Sequence, residues 1–151
     1  MPGRAPFLPI ESIHVGIAAC NWHESRARGG IHKTLSSLVL RPFLSVTIVE
    51  HAICVAALAR PLVDSIQRKD KDLASQVRRA ISSIGLNAAE AQGNAGGNSR
   101  VRFESALGSL YEAKAGIQLA IAWGYVSQAA AVGVIESMNC LGGRVFGLVR
   151  R

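Results

Sequence analysis

The chain has 151 residues, a length that suits one domain with a modest hydrophobic core. Hydrophobic residues make up 49% of it and aromatic residues only 5%, and much of the apolar content is alanine, so the composition favours helices over strands. Three widely separated cysteines exclude a disulfide framework and indicate a reducing, cytoplasmic compartment. The formal net charge of +7 favours polyanionic partners.

Residues 1–44 differ from the rest of the chain. They hold four of the five prolines, the basic run HESRARGGIHK and no helical periodicity longer than about two turns. We expect a poorly ordered or partly helical N-terminal extension here and a separate helical domain over residues 45–151. Both parts are basic, because residues 1–45 carry five Lys/Arg against two Asp/Glu and residues 46–151 carry twelve against eight.

Helical periodicity begins at Ser45. Pro61 interrupts the first helix and predicts a kink or a restart near Arg60. A second helix is expected to begin near Asp70–Asp72 and to run to about Ala91. At 100° per residue its core face contains Val77, Ile81, Ile84, Ala88 and Ala91, and Leu86 lies on the opposite side.

The composition of residues 92–99, QGNAGGNS, predicts a loop, and Ser99 is the expected N-cap of the third helix. That helix should stop at Gly124, and Ser127 should cap a fourth. The predicted core stripe of the fourth helix is Val132, Ile135, Met138, Leu141, Val145 and Leu148. Four helices of about 20 residues joined by short loops predict an all-α, up-down-up-down antiparallel four-helix bundle.

One segment is long enough to be tested as a membrane span. Residues 115–135 contain no charged side chain, but polar residues interrupt the run and WGYVS at its middle is typical of a turn. We therefore expect two helices joined by a loop, and no contact with a membrane.

Catalytic and metal-binding patterns are weak. Cys20, His23 and His32 lack the further pair of ligands that a zinc site needs, and no glycine-rich loop has phosphate-binding form. Glu90 and Glu112 offer a pair of carboxylates on neighbouring helices, but a structural polar network is the simpler interpretation. Its expected members are Ser83, Asn87, Glu90, Ser109 and Glu112. We predict no catalytic residues, no metal and no cofactor.

The basic residues of the helical domain form a more suggestive pattern. The expected phosphate contacts are Arg78, Arg79, Arg100 and Arg102, with Lys69 and Lys71 assisting and Arg68 beside those two lysines. Arg100 and Arg102 lie beyond the loop that follows the second helix. The competing interpretation is a set of solvated surface charges. Alanine- and glycine-rich stretches such as QAAAVGV permit close approach of helices on more than one side, which favours self-association.

The segments QVRRAISSIGLNAAEAQGN and RFESALGSLYE resemble the family of 23S rRNA intervening-sequence proteins. Family members carry a Q-x-R-R-A-x-x-S-I-x-x-N-x-A-E-G segment, a loop, an R-F pair and an A-x-G-S-L-x-E run. The matching positions are Gln76, Arg78, Arg79, Ala80, Ser83, Ile84, Asn87, Ala89 and Glu90, followed by Arg102, Phe103, Ala106, Gly108, Ser109, Leu110 and Glu112. Ala91 departs from the family's glycine, and the resemblance covers about residues 46–151.

The resemblance implies a bacterial four-helix bundle that assembles into a ring of five subunits. It also implies an association with ribosomal RNA, and a related branch acts as the accessory protein of diversity-generating retroelements. The leading hypothesis is a non-enzymatic, homo-oligomeric, RNA-associated bundle. The alternative is a scaffold that binds an enzyme such as a reverse transcriptase, with nucleic-acid contact incidental.

Overall fold

The computed structural model describes residues 47–150, which form four α-helices and no β-strand. Helix α1 spans Ile48–Gln67, α2 spans Lys71–Gly93, α3 spans Gly97–Ala122 and α4 spans Gln128–Val149. Each helix packs against the next, and α4 packs against α1. The prediction of an antiparallel four-helix bundle is therefore confirmed, while the predicted N-terminal extension lies outside the described residues and its boundary stays a prediction.

The core is a single cluster of small and medium apolar side chains contributed by all four helices. The predicted core face of α2 is confirmed, since all five of its members are buried, and Leu86 on the opposite side is 65% exposed. The largest fully buried side chains are Ile66, Ile84, Leu110, Ile117, Met138 and Leu141. Aromatic residues contribute little to this core, as the composition suggested.

Local hydrogen bonds fix the ends of the helices. Thr47 and Glu50 form a capping box at the start of α1, and the carboxylate of Asp70 accepts the N–H of Leu73 at the start of α2. The hydroxyl of Ser127 caps α4 as predicted, accepting the N–H of Ala130 at 3.2 Å.

The prediction that Ser99 caps α3 is wrong. Helix α3 begins at Gly97, after Gly96 with φ of 61°, so Ser99 already lies in the first helical turn. Its hydroxyl instead donates to the carbonyl oxygen of Ala91 at 2.8 Å and ties the start of α3 to the end of α2. A glycine can adopt the left-handed conformation that this short turn needs, so the helix starts earlier than a search for a polar cap suggests.

The prediction of a restart at Pro61 is also wrong, because α1 is one helix from Ile48 to Gln67. Pro61 is exposed, so the backbone acceptor left without its usual donor lies on the side of α1 that water reaches. One turn after Pro61, the hydroxyl of Ser65 donates a hydrogen bond to the carbonyl oxygen of Pro61 at 3.0 Å. A missing helical hydrogen bond is tolerable where water can replace it.

The stripe predicted for α4 is partly wrong. Val132 is 47% exposed, and the buried line runs through Ala131 and Val134 to Met138, Leu141 and Val145. The residues that face the interior here are small. A prediction that favours large apolar side chains therefore selects their larger neighbours instead.

The chain turns between α3 and α4 at residues 123–127, so the prediction of two helices in the apolar run 115–135 is confirmed. Among the described residues, only α4 is long and apolar enough by length and composition to cross a membrane, and 33% of its most apolar window is buried in the bundle.

Candidate nucleic-acid interface

The six basic residues proposed from the sequence occupy two places in the bundle. Lys69 lies in the α1–α2 turn, Lys71 begins α2, and Arg78 and Arg79 follow within two turns of that helix. Arg100 and Arg102 lie at the opposite end, in the first two turns of α3. All six side chains are exposed.

Among the described residues, the basic side chains at the α1–α2 end form no salt bridges with carboxylates. Arg78 donates to the side-chain oxygen of Gln67, a neutral group that links α2 back to α1. Arg68 likewise donates to the hydroxyl of Ser65 at 2.9 Å. Within residues 47–150, Lys69, Lys71 and Arg79 form no salt bridge with a carboxylate. Residues 68–79 hold five Lys/Arg against two acids, Asp70 and Asp72, so this end keeps a net positive charge.

At the other end the two arginines are paired with acids. The Nε atom of Arg100 lies 3.0 Å from Oε1 of Glu104 one turn later on α3. The Nε atom of Arg102 lies 2.9 Å from Oε2 of Glu90 and joins α3 to the last turns of α2. These pairs are about half exposed, so they add little stability, but they do reduce the charge available to a phosphate.

The residues expected to form a polar network mostly bond within their own helices. The amide of Asn87 donates to the carbonyl oxygen of Ser83 at 2.9 Å, and the hydroxyl of Ser109 donates to the carbonyl oxygen of Ser105 at 3.0 Å. Serine and asparagine within helices commonly make such bonds to the backbone one turn earlier. Of the five residues, Glu90 makes the side-chain link between α2 and α3, through Arg102, and Glu112 is exposed.

The two glutamates considered as catalytic carboxylates are far apart. Glu90 lies beside Arg102, and Glu112 lies ten residues further along α3, which corresponds to about 15 Å of helix. Carboxylates that act together on one bond are usually within about 10 Å. The pair therefore forms no shared site in this bundle.

One polar cluster was missed from the sequence. His51 is only 9% exposed, on the side of α1 that packs against α4. Its Nδ1 atom lies 3.1 Å from Nη1 of Arg144, and its Nε2 atom lies 3.5 Å from the hydroxyl of Ser137. Burial, and then the charge of Arg144, lower the pKa of His51 to about 4, so the ring is neutral and accepts the arginine's hydrogen bond.

The contact between Ser137 and His51 has little in common with a nucleophile and its base. Both side chains are buried, and the group on the second ring nitrogen is a guanidinium, whereas a catalytic histidine is held there by a carboxylate. With a pKa near 4 the ring is also a poor proton acceptor for a hydroxyl. We interpret the cluster as a structural link between α1 and α4.

The described residues offer no arrangement of ligands for a metal. No group of three or more His, Cys, Asp or Glu side chains converges within residues 47–150. Burial and the charge of Glu50 raise the pKa of the Cys54 thiol, which makes it a weaker ligand and nucleophile. Cys20, His23 and His32 lie outside the described residues.

Comparison with known proteins agrees with the bundle described above. A crystal structure from Bacteroides thetaiotaomicron VPI-5482 superposes with a TM-score of 0.64, covering 70% of this chain and 100% of its own. It is described as a protein of unknown function from the S23 ribosomal protein family, and at 16% identity it shows the fold alone. No curated protein matches the chain. The model of the family described as 23S rRNA-intervening sequence protein matches residues 46–146, and the chain therefore belongs to that family.

Proposed function

We propose that this protein is a non-enzymatic, homo-oligomeric bundle that associates with RNA through the cations at its α1–α2 end. The observation that carries the proposal is that Lys69, Lys71 and Arg79 are exposed and unmatched by carboxylates within residues 47–150. Lysine and arginine side chains of this kind displace counterions from a phosphate backbone. The family name, which refers to sequences within ribosomal RNA, makes RNA the polyanion to test first.

The geometry ranks the six candidate residues. Arg78 can assist, because its partner Gln67 is neutral and leaves the positive charge in place. Arg100 and Arg102 contribute less, since Glu104 and Glu90 offset their charges. The proposed interface is therefore centred on the α1–α2 turn and the first half of α2.

The lack of a catalytic role is proposed from the chemistry of the described groups. The glutamates of α2 and α3 are too far apart to act together, and the buried histidine contacts a cation. No cofactor is needed for the binding role. A cytoplasmic location agrees with three cysteines that are odd in number and widely separated along the chain.

Self-association is supported by the outward sides of α3 and α4. Small exposed residues recur along them, and a Cβ atom added at Gly108, Gly133, Gly143 or Gly147 would meet nothing within 4 Å in the subunit. Such surfaces let another helix approach closely. We expect a ring of five subunits, which would bring several copies of the α1–α2 end to one RNA.

The proposal is tested by titrating a structured RNA with the protein over a series of salt concentrations. We expect binding at low salt that weakens as salt rises, because each phosphate contact releases counterions. Replacing Lys69 and Lys71 together by alanine should weaken binding. The joint replacement of Arg100 and Arg102, which also removes two cations, is the matched control at the opposite end and should weaken binding less. The absence of binding at low salt, or affinity that does not depend on salt, would overturn the proposal.

A scaffold for a partner enzyme is the second candidate, and exposed apolar side chains favour it. Tyr111 and Leu119 on α3 are 58% and 51% exposed, and Ile53 on α1 is 53% exposed. Protein interfaces use such residues at their centres. A reverse transcriptase that binds this protein equally well at high salt, and equally well after removal of Lys69 and Lys71, would favour this function over RNA association.

A further inference from the structure

Trp123 is the most exposed of the large hydrophobic side chains in residues 47–150, at 69%. An indole left in water forgoes a large gain from burial, so a tryptophan that is mostly exposed points to a binding role. The residue lies at the end of α3, where the chain turns towards α4. Its surroundings determine which kind of partner it suits.

The backbone around Trp123 is firmly held. Its N–H donates to the carbonyl oxygen of Leu119 at 2.9 Å, and Gly124 follows with φ of 70°. The N–H of Gly124 donates to the carbonyl oxygen of Ile121, and the N–H of Tyr125 donates to the carbonyl oxygen of Ala120. These two hydrogen bonds form a Schellman motif. The indole is therefore presented from an ordered turn, which reduces the entropy cost of binding a flat partner.

The indole and the unpaired lysines lie at the same end of the bundle. Gly116 of α3 faces Val77 of α2, and these two helices are antiparallel. Lys71 lies six residues before Val77, and Trp123 lies seven residues after Gly116. Because a helix rises about 1.5 Å per residue, both lie about 10 Å from the Gly116–Val77 contact, towards the same end of the bundle. Trp123 also lies two turns from Gly116 on the side of α3 that faces α2.

The charge at this end suits an anion. Residues 113–135, which include the α3–α4 turn and the helical turns on both sides, contain no Asp or Glu. In the α1–α2 turn the carboxylate of Asp70 is engaged as the cap of α2, and Asp72 is an exposed acid in the first turn of that helix. The exposed cations Arg68, Lys69 and Lys71 outnumber these two acids. An exposed aromatic ring next to exposed cations is the combination that binds a nucleobase and its phosphates together.

We propose that Trp123 stacks on an unpaired base of the RNA while Lys69 and Lys71 contact the neighbouring phosphates. This inference rests on the proposed function and extends it, because it predicts a preference for RNA with single-stranded loops over continuous duplex. Bases within a duplex are already stacked on each other and offer no free face to the indole.

The experiment uses Trp123 as its own probe. The chain has two tryptophans, so Trp22→Phe leaves Trp123 as the only indole. This variant is titrated with a stem-loop RNA and with a fully paired duplex of equal phosphate number. We expect fluorescence quenching by the stem-loop and little quenching by the duplex. In the wild-type background, Trp123→Ala should weaken stem-loop binding by about 5- to 100-fold and Trp123→Phe by much less.

Leu86→Ala is the matched control, because it removes another exposed apolar side chain distant from this end. It should leave both affinities unchanged. If Trp123→Ala binds the stem-loop as tightly as wild type, or both RNAs quench equally, the stacking proposal is overturned while RNA association stands. If wild type binds neither RNA, the proposed function fails as well. Quenching or a blue shift with vesicles of anionic lipid, without a response to RNA, would assign Trp123 to a membrane surface and overturn the proposal.

Discussion

The histidine at position 51 shows how a single buried residue can make stability depend on pH. Its pKa in the folded protein is lowered to about 4, while the unfolded chain binds a proton near the ordinary value of 6.5. Between these values unfolding takes up a proton, so acid favours the unfolded state. The contribution of His51 to stability is complete above about pH 6.5 and is lost as the pH falls towards 4.

We therefore expect the free energy of unfolding to fall between pH 6.5 and 4, by at most about 3 kcal/mol from this residue. Urea unfolding at several pH values measures the effect. His51→Gln is the comparison, because its amide stays neutral and its oxygen can accept a hydrogen bond from Arg144. Other groups titrate in the same range in both proteins, so an identical pH dependence in the two would contradict this role of His51.

Gly116 tests how closely α2 and α3 approach. A Cβ atom at this position would lie 2.5 Å from Cγ2 of Val77, a side chain with little freedom to rotate. We expect Gly116→Ala to destabilise the protein by about 1–3 kcal/mol, through overpacking. The measurement is urea denaturation.

Gly97→Ala is the control on the same helix, since its Cβ atom would meet nothing within 4 Å. It should stabilise the protein by up to about 1 kcal/mol, because alanine loses less backbone entropy than glycine in a helix. If both substitutions shift stability in the same direction by the same amount, the close contact at Gly116 is not a determinant of packing.

Helical periodicity predicted which residues of α2 are buried. It did not predict which partners the polar side chains bond. His51 and Arg144 are 93 positions apart in the chain, and nothing in the local sequence joins them. Asn87 and Ser109 looked like interhelical contacts, yet the nearest acceptors were backbone carbonyls of their own helices. A side chain's helical position can be inferred, whereas its choice among several possible partners depends on the packed structure.

At the scale of the helices, the sequence predicts an end well where one local hydrogen bond decides it. Ser127 caps α4 as expected, α2 begins near Asp70 as expected, and Gly124 follows the end of α3. The prediction that Ser99 caps α3 was wrong because Gly96 and Gly97 allow this helix to begin earlier, without a polar capping side chain. The restart predicted near Arg60 was wrong because the cost of the hydrogen bond that Pro61 removes depends on whether that side of α1 is buried. The local sequence does not determine this burial.

Gly124 gives a prediction about the α3–α4 turn. With φ of 70°, Gly124→Ala would place a Cβ atom in the left-handed region and should cost about 1–2 kcal/mol of stability. Thermal unfolding measures the change. Gly93→Ala, at the end of α2 where a Cβ atom meets nothing within 4 Å, is the control and should not destabilise the protein. An equal loss in both variants would argue against the turn as the cause.

At the scale of the whole molecule, the antiparallel arrangement follows from four helices of similar length and three short connections, so the fold was accessible from the sequence. The distribution of charge was not. The sequence favoured Arg78, Arg79, Arg100 and Arg102 as phosphate contacts, with Lys69 and Lys71 assisting. The fold instead pairs Arg100 and Arg102 with acids and leaves Lys69, Lys71 and Arg79 unmatched in the described domain. An interface of this kind becomes visible only when the positions of the acids are known.

Self-association is predicted at this scale too. Native mass spectrometry over a range of protein concentrations should detect an oligomer, with five subunits as the expected number, because small residues on the outer sides of α3 and α4 allow close packing of copies. A monomer at every concentration would contradict this expectation and would leave the exposed apolar residues to another partner.

The most direct test of RNA association is the slope of the logarithm of affinity against the logarithm of salt concentration. Removing one cation that binds a phosphate should reduce the slope by about 0.7–0.9. Replacing Lys69, Lys71 and Arg79 by alanine should therefore flatten it by about two to three units. The double replacement of Arg100 and Arg102 should change it by less than about one unit, since those residues are paired with acids. Equal slopes for the triple variant and the wild-type protein would contradict the account.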